Sequence, residues 1–309
     1  MDIYSIGEMV IDFLPGNEPG CYIRNAGGAP ANMAIASSRN GLDAGFCGLL
    51  GDDDFGRFLK HTLEENHVRV LCNRMTPHAV TTMAFVSLTP DGERSFTFAR
   101  KPGADMLLST DDVKDEHIRS ATVIHAGSCS LSKGTQVDAT MYAMRKGVAY
   151  GKMISFDVNY RELIWDGDTK AAVKMIREAL PYTDVLKVSE DETILLGGDL
   201  PALMKEFNIQ LVVETLGANG SRCFHAGVEM YAPSPKVTCV DATGAGDAFW
   251  GAFIAGLLRR GVRHATQINT ETLGLAMAEG NIAGALSVQK KGAISSLPTR
   301  AEIEKQSFK

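Results

Sequence analysis

A chain of 309 residues, 45% hydrophobic and 22% charged, carries enough apolar material for one large core or two small ones and is unlike a disordered polypeptide. Its formal net charge of -6 leaves no basic footprint for nucleic acid or an anionic membrane, so a polyanionic ligand would need a local pocket. Six scattered cysteines, with no C-x-x-C pair and no histidine cluster, indicate neither a zinc site nor a disulfide framework.

Met1-Asp2-Ile3-Tyr4 enters strand-like sequence without a basic, then apolar, leader, and the longest apolar run, Ala248 to Leu258, is too short to cross a bilayer. A cytoplasmic protein is expected. Strands are predicted at Ile3 to Ile6, Ala44 to Leu49, Thr122 to His125, Met153 to Asp157, Val185 to Val188 and Gln210 to Thr215. Helical patterns separate them, among them Asp54 to His67 and Gly134 to Tyr150, which predicts an α/β fold with a mostly parallel sheet. In the second of these helices Met141, Met144, Val148 and Ala149 share a face that reads as core.

Val80 to Leu88 and Arg94 to Arg100 break the alternation: they are β-prone and joined through Thr89-Pro90-Asp91-Gly92-Glu93, a hairpin signal because Gly92 tolerates positive φ. With the alternating segment Ile11 to Arg24, this hairpin is expected to form a small sheet projecting from a single domain of residues 1–309, a lid built from about 11–25 and 80–100. No linker or repeat divides the chain. The last third is richer in helix, with Gly246 to Arg260 and Thr272 to Gln289 as the strongest patterns.

Asp241-Ala242-Thr243-Gly244-Ala245-Gly246-Asp247-Ala248-Phe249 follows the β-prone Lys236 to Val240 and opens a very apolar helix. Small residues admit a ligand to the backbone, and the first N–H groups of a helix have no internal partners, so the turn is an anion site suited to a transferring phosphoryl group. Asp247 just beyond it reads either as a base accepting a proton from an attacking hydroxyl or as a first-turn acid that complements the helix dipole. The nearest approach to a Walker A loop, Gly147-Val148-Ala149-Tyr150-Gly151-Lys152-Met153, is one residue short, lacks Ser or Thr and runs from helix to strand. Phe249 stands where a dinucleotide fingerprint needs glycine, which removes the main support for a dehydrogenase.

Near the other end, Ala26-Gly27-Gly28-Ala29-Pro30-Ala31-Asn32-Met33-Ala34 makes a tight helix entry, and Asn32 offers both donor and acceptor to a polyol. Alone it reads as just a loop. Together the two glycine-rich segments resemble the two signatures of the ribokinase-like (PfkB) carbohydrate kinases, in order and separation, over essentially the whole chain. Gly7-Glu8-Met9-Val10-Ile11-Asp12, Gly51-Asp52-Asp53-Asp54-Phe55-Gly56, Asp157-Val158-Asn159-Tyr160-Arg161-Glu162-Leu163-Ile164-Trp165 and Lys187-Val188-Ser189-Glu190-Asp191-Glu192 resemble the bacterial fructokinase branch.

The resemblance implies a three-layer α/β/α fold with a β lid and transfer of the ATP γ-phosphoryl group to a sugar hydroxymethyl group, with Asp247 as base and Gly244, Ala245 and Gly246 neutralising charge. It implies sugar contacts by Asp12, Gly27, Gly28, Asn32 and Asn159, Arg100 closing from the lid, and Arg161 between sugar and phosphates, where a rigid five-donor fork suits a multiply charged group. On the nucleotide side it implies Lys187, Thr215-Leu216-Gly217-Ala218-Asn219-Gly220, Gly244, Gly246 and Asn281. Glu192 would organise Mg2+ through water, and Glu190 and Asp191 would be solvated helix-start acids. Asp241 and Thr243 with backbone near Ser287 and Gly292 would take a K+ ion, although Ala242 removes one hydroxyl of the usual Asp-Thr-x-Gly. His125 is expected to pack rather than catalyse.

Fructose is the first-choice substrate by this resemblance, giving fructose 6-phosphate. A 2-keto-3-deoxygluconate kinase, which would want further cations near Arg100, and a ribosyl-nucleoside kinase, which would want an aromatic platform such as Phe98, are the alternatives within the same chemistry. A non-catalytic sugar or nucleotide sensor is the alternative of another class. The resemblance implies homodimerisation through the lid, and the apolar alternation in Ile11 to Arg24 and Val80 to Arg100 is compatible with it, because exposed strand edges and apolar faces need covering.

Overall fold

The computed structural model describes residues 1–16, 18, 20–88 and 94–307. Strands follow in chain order as β1 Ile3–Ile6, β2 Val10–Pro15, β3 Tyr22–Gly27, β4 Ala44–Cys47, β5 Leu50–Gly51, β6 Arg69–Val70, β7 Met75–Thr76, β8 Met83–Leu88, β9 Arg94–Ala99, β10 Val123–Gly127, β11 Met153–Asp157, β12 Val185–Ser189, β13 Leu211–Thr215, β14 Ser221–His225 and β15 Val228–Ala232. Nine of them form one sheet in the order β15-β14-β13-β12-β11-β10-β1-β4-β6, parallel from β13 to β6, with β14 and β15 added antiparallel. Apart from the edge strand β6, the parallel strands are almost wholly buried on both faces, which is why they read as continuous apolar runs rather than alternating ones.

Helices α1 Ala29–Arg39, α2 Asp54–Glu65, α3 Asp115–Ser120, α4 Gln136–Ala149, α5 Thr169–Ala179, α6 Glu190–Leu195, α7 Leu200–Phe207, α8 Ala245–Arg259, α9 Thr270–Ser287, α10 Ala293–Ser296 and α11 Arg300–Ser307 cover the sheet. One hydrophobic cluster joins α1, α2, α8 and α9 to one face, and a second joins α4, α5 and α7 to the other. The three layers expected from the alternation are present. Small residues set the spacing of the first face: a Cβ on Gly251 would lie 2.4 Å from Ala36 Cβ, and one on Gly280 would lie 2.9 Å from the Phe249 ring. The apolar run from Ala248 to Leu258 is fully buried within α8.

A separate four-stranded sheet, ordered β3-β2-β8-β9, accompanies the large one. It contains the predicted segments, but Ile11 to Arg24 folds as a hairpin of two antiparallel strands, and β2 pairs with β8 in parallel. The Thr89-to-Glu93 turn lies outside the described residues, while the β8–β9 pairing it connects runs from Met83↔Ala99 to Leu88↔Arg94. Phe13 stacks on Phe85 at 4.8 Å and meets Phe55 of α2 edge-on at 5.6 Å, which anchors the small sheet to the large one.

Two local expectations fail. Val148 and Ala149 are exposed, because α4 lies so close to the sheet that Gly147 faces it, a Cβ there falling 2.6 Å from Ile154 Cδ1; the buried face runs through Ala139, Thr140, Ala143 and Met144 and turns the last two residues outward. Lys236 to Val240 is not a strand: no neighbouring strand pairs with it among the described residues, and Val237 and Val240 are exposed.

Candidate active site

The site assembles where the parallel strands end at their carboxyl edges, the position at which open α/β sheets collect ligands. Gly244 adopts φ 78° as the N-cap of α8, and a Cβ there would stand 3.1 Å from the Ala293 backbone. Its left-handed conformation turns the chain into the helix. The Ala245 N–H bonds back to Ala242 O at 3.2 Å, whereas Gly246 and Asp247 N–H have no protein acceptor among the described residues. The anion turn therefore offers those two donors, with Ala245 serving the turn itself.

Asp247 sits in the first turn of α8, and its Oδ2 accepts a 2.8 Å hydrogen bond from Asn32 Nδ2 of α1. Burial pushes its carboxyl up to about 6, the nearby Asp157 adds to the rise, and the Asn32 bond with the Lys187 and Arg161 charges pulls the other way. A carboxylate so placed titrates near neutrality, which suits a general base. Asp12 behaves alike: burial and Asp247 raise it, Arg161 opposes, and it settles at about 6.

Beneath the turn lies a buried ion pair. Lys187 Nζ of β12 meets Asp157 Oδ2 of β11 at 2.8 Å, with the two residues 6% and 2% exposed. Burial alone would lower the Lys187 pKa, but Asp157 and Glu192 more than offset it, so the ammonium is retained. A Cβ on Gly246 would lie 3.2 Å from that ammonium, so the fixed cation stands directly against the anion turn. Asp157 was not singled out in the sequence; only its place at a strand end beside a lysine-bearing strand could have signalled it.

Glu192 has a clear local task. It is the N3 residue of a capping box in which Ser189 N donates to its Oε2 at 2.8 Å, and Tyr160 N donates to its Oε1 at 2.7 Å. The buried carboxyl thus ties the Asn159–Arg161 segment to the start of α6. Asn159 is itself buried with φ 37°, a left-handed turn that Asn tolerates, and Arg161 after it is exposed with Nη1 bonded to Tyr160 O at 2.9 Å.

The model of the pfkB family carbohydrate kinases matches residues 2–300. The chain belongs to that family. It is therefore a sugar phosphotransferase by descent. It is 40% identical over 318 residues to fructokinase-1 of Zea mays, covering 97% of this chain and 96% of that one. The structure superimposes on the Xylella fastidiosa fructokinase with bound ATP at TM-score 0.90, with 31% identity and 99% of each chain covered. A double mutant of the Vibrio cholerae O395 fructokinase, with fructose, ADP and potassium ion bound, gives TM-score 0.88 at 32% identity, covering 98% of this chain and 97% of that one.

Within this kinase the remaining expected residues are distributed as follows. Gly27 and Gly28 end the small sheet and begin α1; a Cβ on Gly27 would fall 2.2 Å from Asp12 Oδ2, so that glycine presses directly on the acid. Arg100 follows β9 but is not a free lid charge. It is 9% exposed and grips Asp105 Oδ2 through Nε at 3.0 Å and Nη2 at 2.7 Å, with Nη1 on Ser132 at 3.2 Å. Thr215 ends β13, and Gly217 (φ 55°) and Gly220 (φ 105°) shape the turn into β14. Asn281 is buried on α9 and holds Ala232 O at 2.9 Å, fixing the backbone after β15.

Asp241, Thr243 and Gly292 form one hydrogen-bonded group: Thr243 N and Oγ1 donate to Asp241 Oδ1 at 3.0 and 2.7 Å, and Gly292 N donates to Oδ2 at 2.9 Å. The same strand of chain reaches the end of α9, where Val240 N and Asp241 N share Val288 O next to the buried Ser287. The four residues expected around K+ are thus neighbours. His125 packs as expected, buried with Nδ1 3.0 Å from Ser155 Oγ, and burial lowers its pKa to about 4.

Proposed function

We propose that this kinase transfers the γ-phosphoryl group of ATP to the hydroxymethyl group of D-fructose that becomes fructose 6-phosphate. The observation that carries the reading is the placement of Asp247: a carboxyl raised toward neutrality, held by Asn32, one residue beyond an anion-binding turn. The accepting hydroxyl loses its proton to Asp247 as its oxygen attacks in line, and the Gly246 and Asp247 N–H groups take up charge on the transferring group. Lys187 supports the phosphates from below and Arg161 from the sugar side. Asp12, Gly27, Gly28, Asn32 and Asn159 would line the sugar, while Thr215, Gly217, Gly220 and Asn281 would frame the nucleotide.

Magnesium would accompany the nucleotide and neutralise phosphate charge. Both Glu192 oxygens already accept backbone N–H bonds, so a water-mediated contact from their remaining lone pairs fits it better than direct ligation. The oxygen-rich group around Asp241, Thr243, Ser287 and Gly292 fits a K+ ion next to the anion turn. Lid closure would exclude water and limit hydrolysis of ATP. Exposed Tyr22 and Ile23 on β3 support pairing of two lids in a homodimer. Six unpaired cysteines suit the reducing cytoplasm.

Fructose is preferred over a sugar acid because Arg100, the cation an acid would seek, is already neutralised by Asp105. Phe98, the platform a nucleoside would need, packs part-buried against the second core cluster. The test is ADP formation with a panel of ketoses, sugar acids and nucleosides, with and without potassium. Fructose should give the highest kcat/KM; a sugar acid or nucleoside in first place would overturn the substrate, and no turnover with any acceptor would favour a sensor.

A further inference from the structure

Gly7, Glu8 and Met9 join β1 of the large sheet to β2 of the lid. Glu8 is 6% exposed at this joint, and its Oε2 has no hydrogen-bond partner among the described residues. A buried carboxyl oxygen left alone is destabilising, so a bound molecule that supplies a partner gains what the free protein lacks.

The surroundings narrow the chemistry of that molecule. The ionisable groups facing Glu8 are Asp105 and Arg100 from the segment after β9, Asp247 from α8, and the Cys129 thiol. Arg100 is committed to Asp105, whose other oxygen takes the Thr82 hydroxyl, so among the described residues no uncommitted cation holds Glu8 as a carboxylate. Burial pushes its carboxyl up to about 7; its own backbone N–H and Arg100 oppose the rise, and Asp105 and Asp247 add to it. A carboxyl that carries its proton is both donor and acceptor, the same pair that a sugar hydroxyl offers.

Position agrees with chemistry. Gly28 (φ 108°) packs against this joint so tightly that a Cβ would lie 2.6 Å from Glu8 O and 2.8 Å from Met9 Cα, just as Gly27 presses on Asp12. The glycine pair therefore sets the backbone of Glu8 and the carboxyl of Asp12 together. A second buried acceptor without a partner among the described residues, Asn32 Oδ1, belongs to the residue bonded to Asp247. We infer that Glu8 is a specificity-determining residue at the sugar end of the site, its free Oε2 engaging a hydroxyl of the acceptor other than the one that attacks. This rests on the sugar-kinase reading above.

The experiment begins with the wild-type enzyme: without fructose-dependent ADP formation, that earlier reading fails and this one falls with it. Given turnover, Glu8→Met and Glu8→Gln are compared with wild type on fructose and on deoxy-fructoses that each lack one non-accepting hydroxyl. Glu8→Met should raise the KM for fructose about tenfold, the weight of one hydrogen bond, while the KM for ATP stays put. One deoxy sugar should be used equally well by wild type and Glu8→Met, because it lacks the hydroxyl that Glu8 serves. An unchanged KM for fructose, or the same ranking of deoxy sugars in both enzymes, would overturn the inference. Glu8→Gln, which keeps both a donor and an acceptor, should retain the wild-type ranking; should Glu8→Met fail to fold, Glu8→Ala decides: the penalty for one missing hydroxyl must shrink, and an unchanged penalty at every position overturns the inference.

Discussion

Asn32 and Asp247, 215 residues apart in the chain, meet through a 2.8 Å hydrogen bond from Asn32 Nδ2 to Asp247 Oδ2. The bond ties α1, which follows the small sheet, to α8, which follows the Gly244 turn. In the proposed reaction Asn32 aims the Asp247 base through Oδ2 while Oδ1 takes the incoming hydroxyl, so the two glycine-rich segments would work as one site.

The raised Asp247 carboxyl gives activity and stability opposite pH dependences. The base must be ionised, so kcat/KM should fall about tenfold per pH unit below about pH 6 and level off above it. Stability runs the other way. A carboxyl whose folded pKa exceeds its ordinary value of 3.8 contributes stability that is fully present below that value and is lost as pH rises through about 6. Melting curves of wild type and Asp247→Asn between pH 4 and 7 should therefore show wild type losing ground to the variant as pH rises.

Lys187 and Asp157 are buried together, and removing one leaves the other uncompensated. Lys187→Met should cost about 3–5 kcal/mol in denaturant unfolding and raise the KM for ATP, since the cation against Gly246 is lost with it. Adding Asp157→Asn should restore much of the stability but not the ATP affinity. Equal loss of both in the double variant would argue that Lys187 serves only the fold.

Gly28 combines a left-handed φ of 108° with contact to the Glu8 carbonyl, so Gly28→Ala meets both backbone strain and overlap. A cost of order 1–3 kcal/mol is expected, with sugar affinity weakened more than ATP affinity. Differential scanning calorimetry and the two KM values check this directly.

Much of the architecture was legible because parallel strands and amphipathic helices write their periods into the chain; Met153–Asp157 matches its predicted bounds. The misses have physical causes. Val148 and Ala149 share a helical stripe with Met144, but close approach at Gly147 rotates them out, and no periodicity reports an interhelix or helix–sheet distance. Lys236 to Val240 has strand-forming residues but no partner strand, and pairing is a tertiary property. In the site, the anion turn and Asn32 could be read from local chemistry. The engagement of Arg100 with Asp105 could not, because a five-residue separation in a non-helical segment says nothing about whether two charges meet. Nor could the burial of Glu8 and Asp157, two acids at strand ends whose desolvation depends on what covers them.

The proposed chemistry turns on Asp247 as the base. Fructose-dependent ADP formation by wild type and Asp247→Asn, the variant first shown to be folded and to bind ATP, tests it most directly. The substitution keeps the size of the side chain and removes the base, so kcat should fall by about 10²–10⁴. A folded, ATP-binding Asp247→Asn enzyme turning over at the wild-type rate would contradict it.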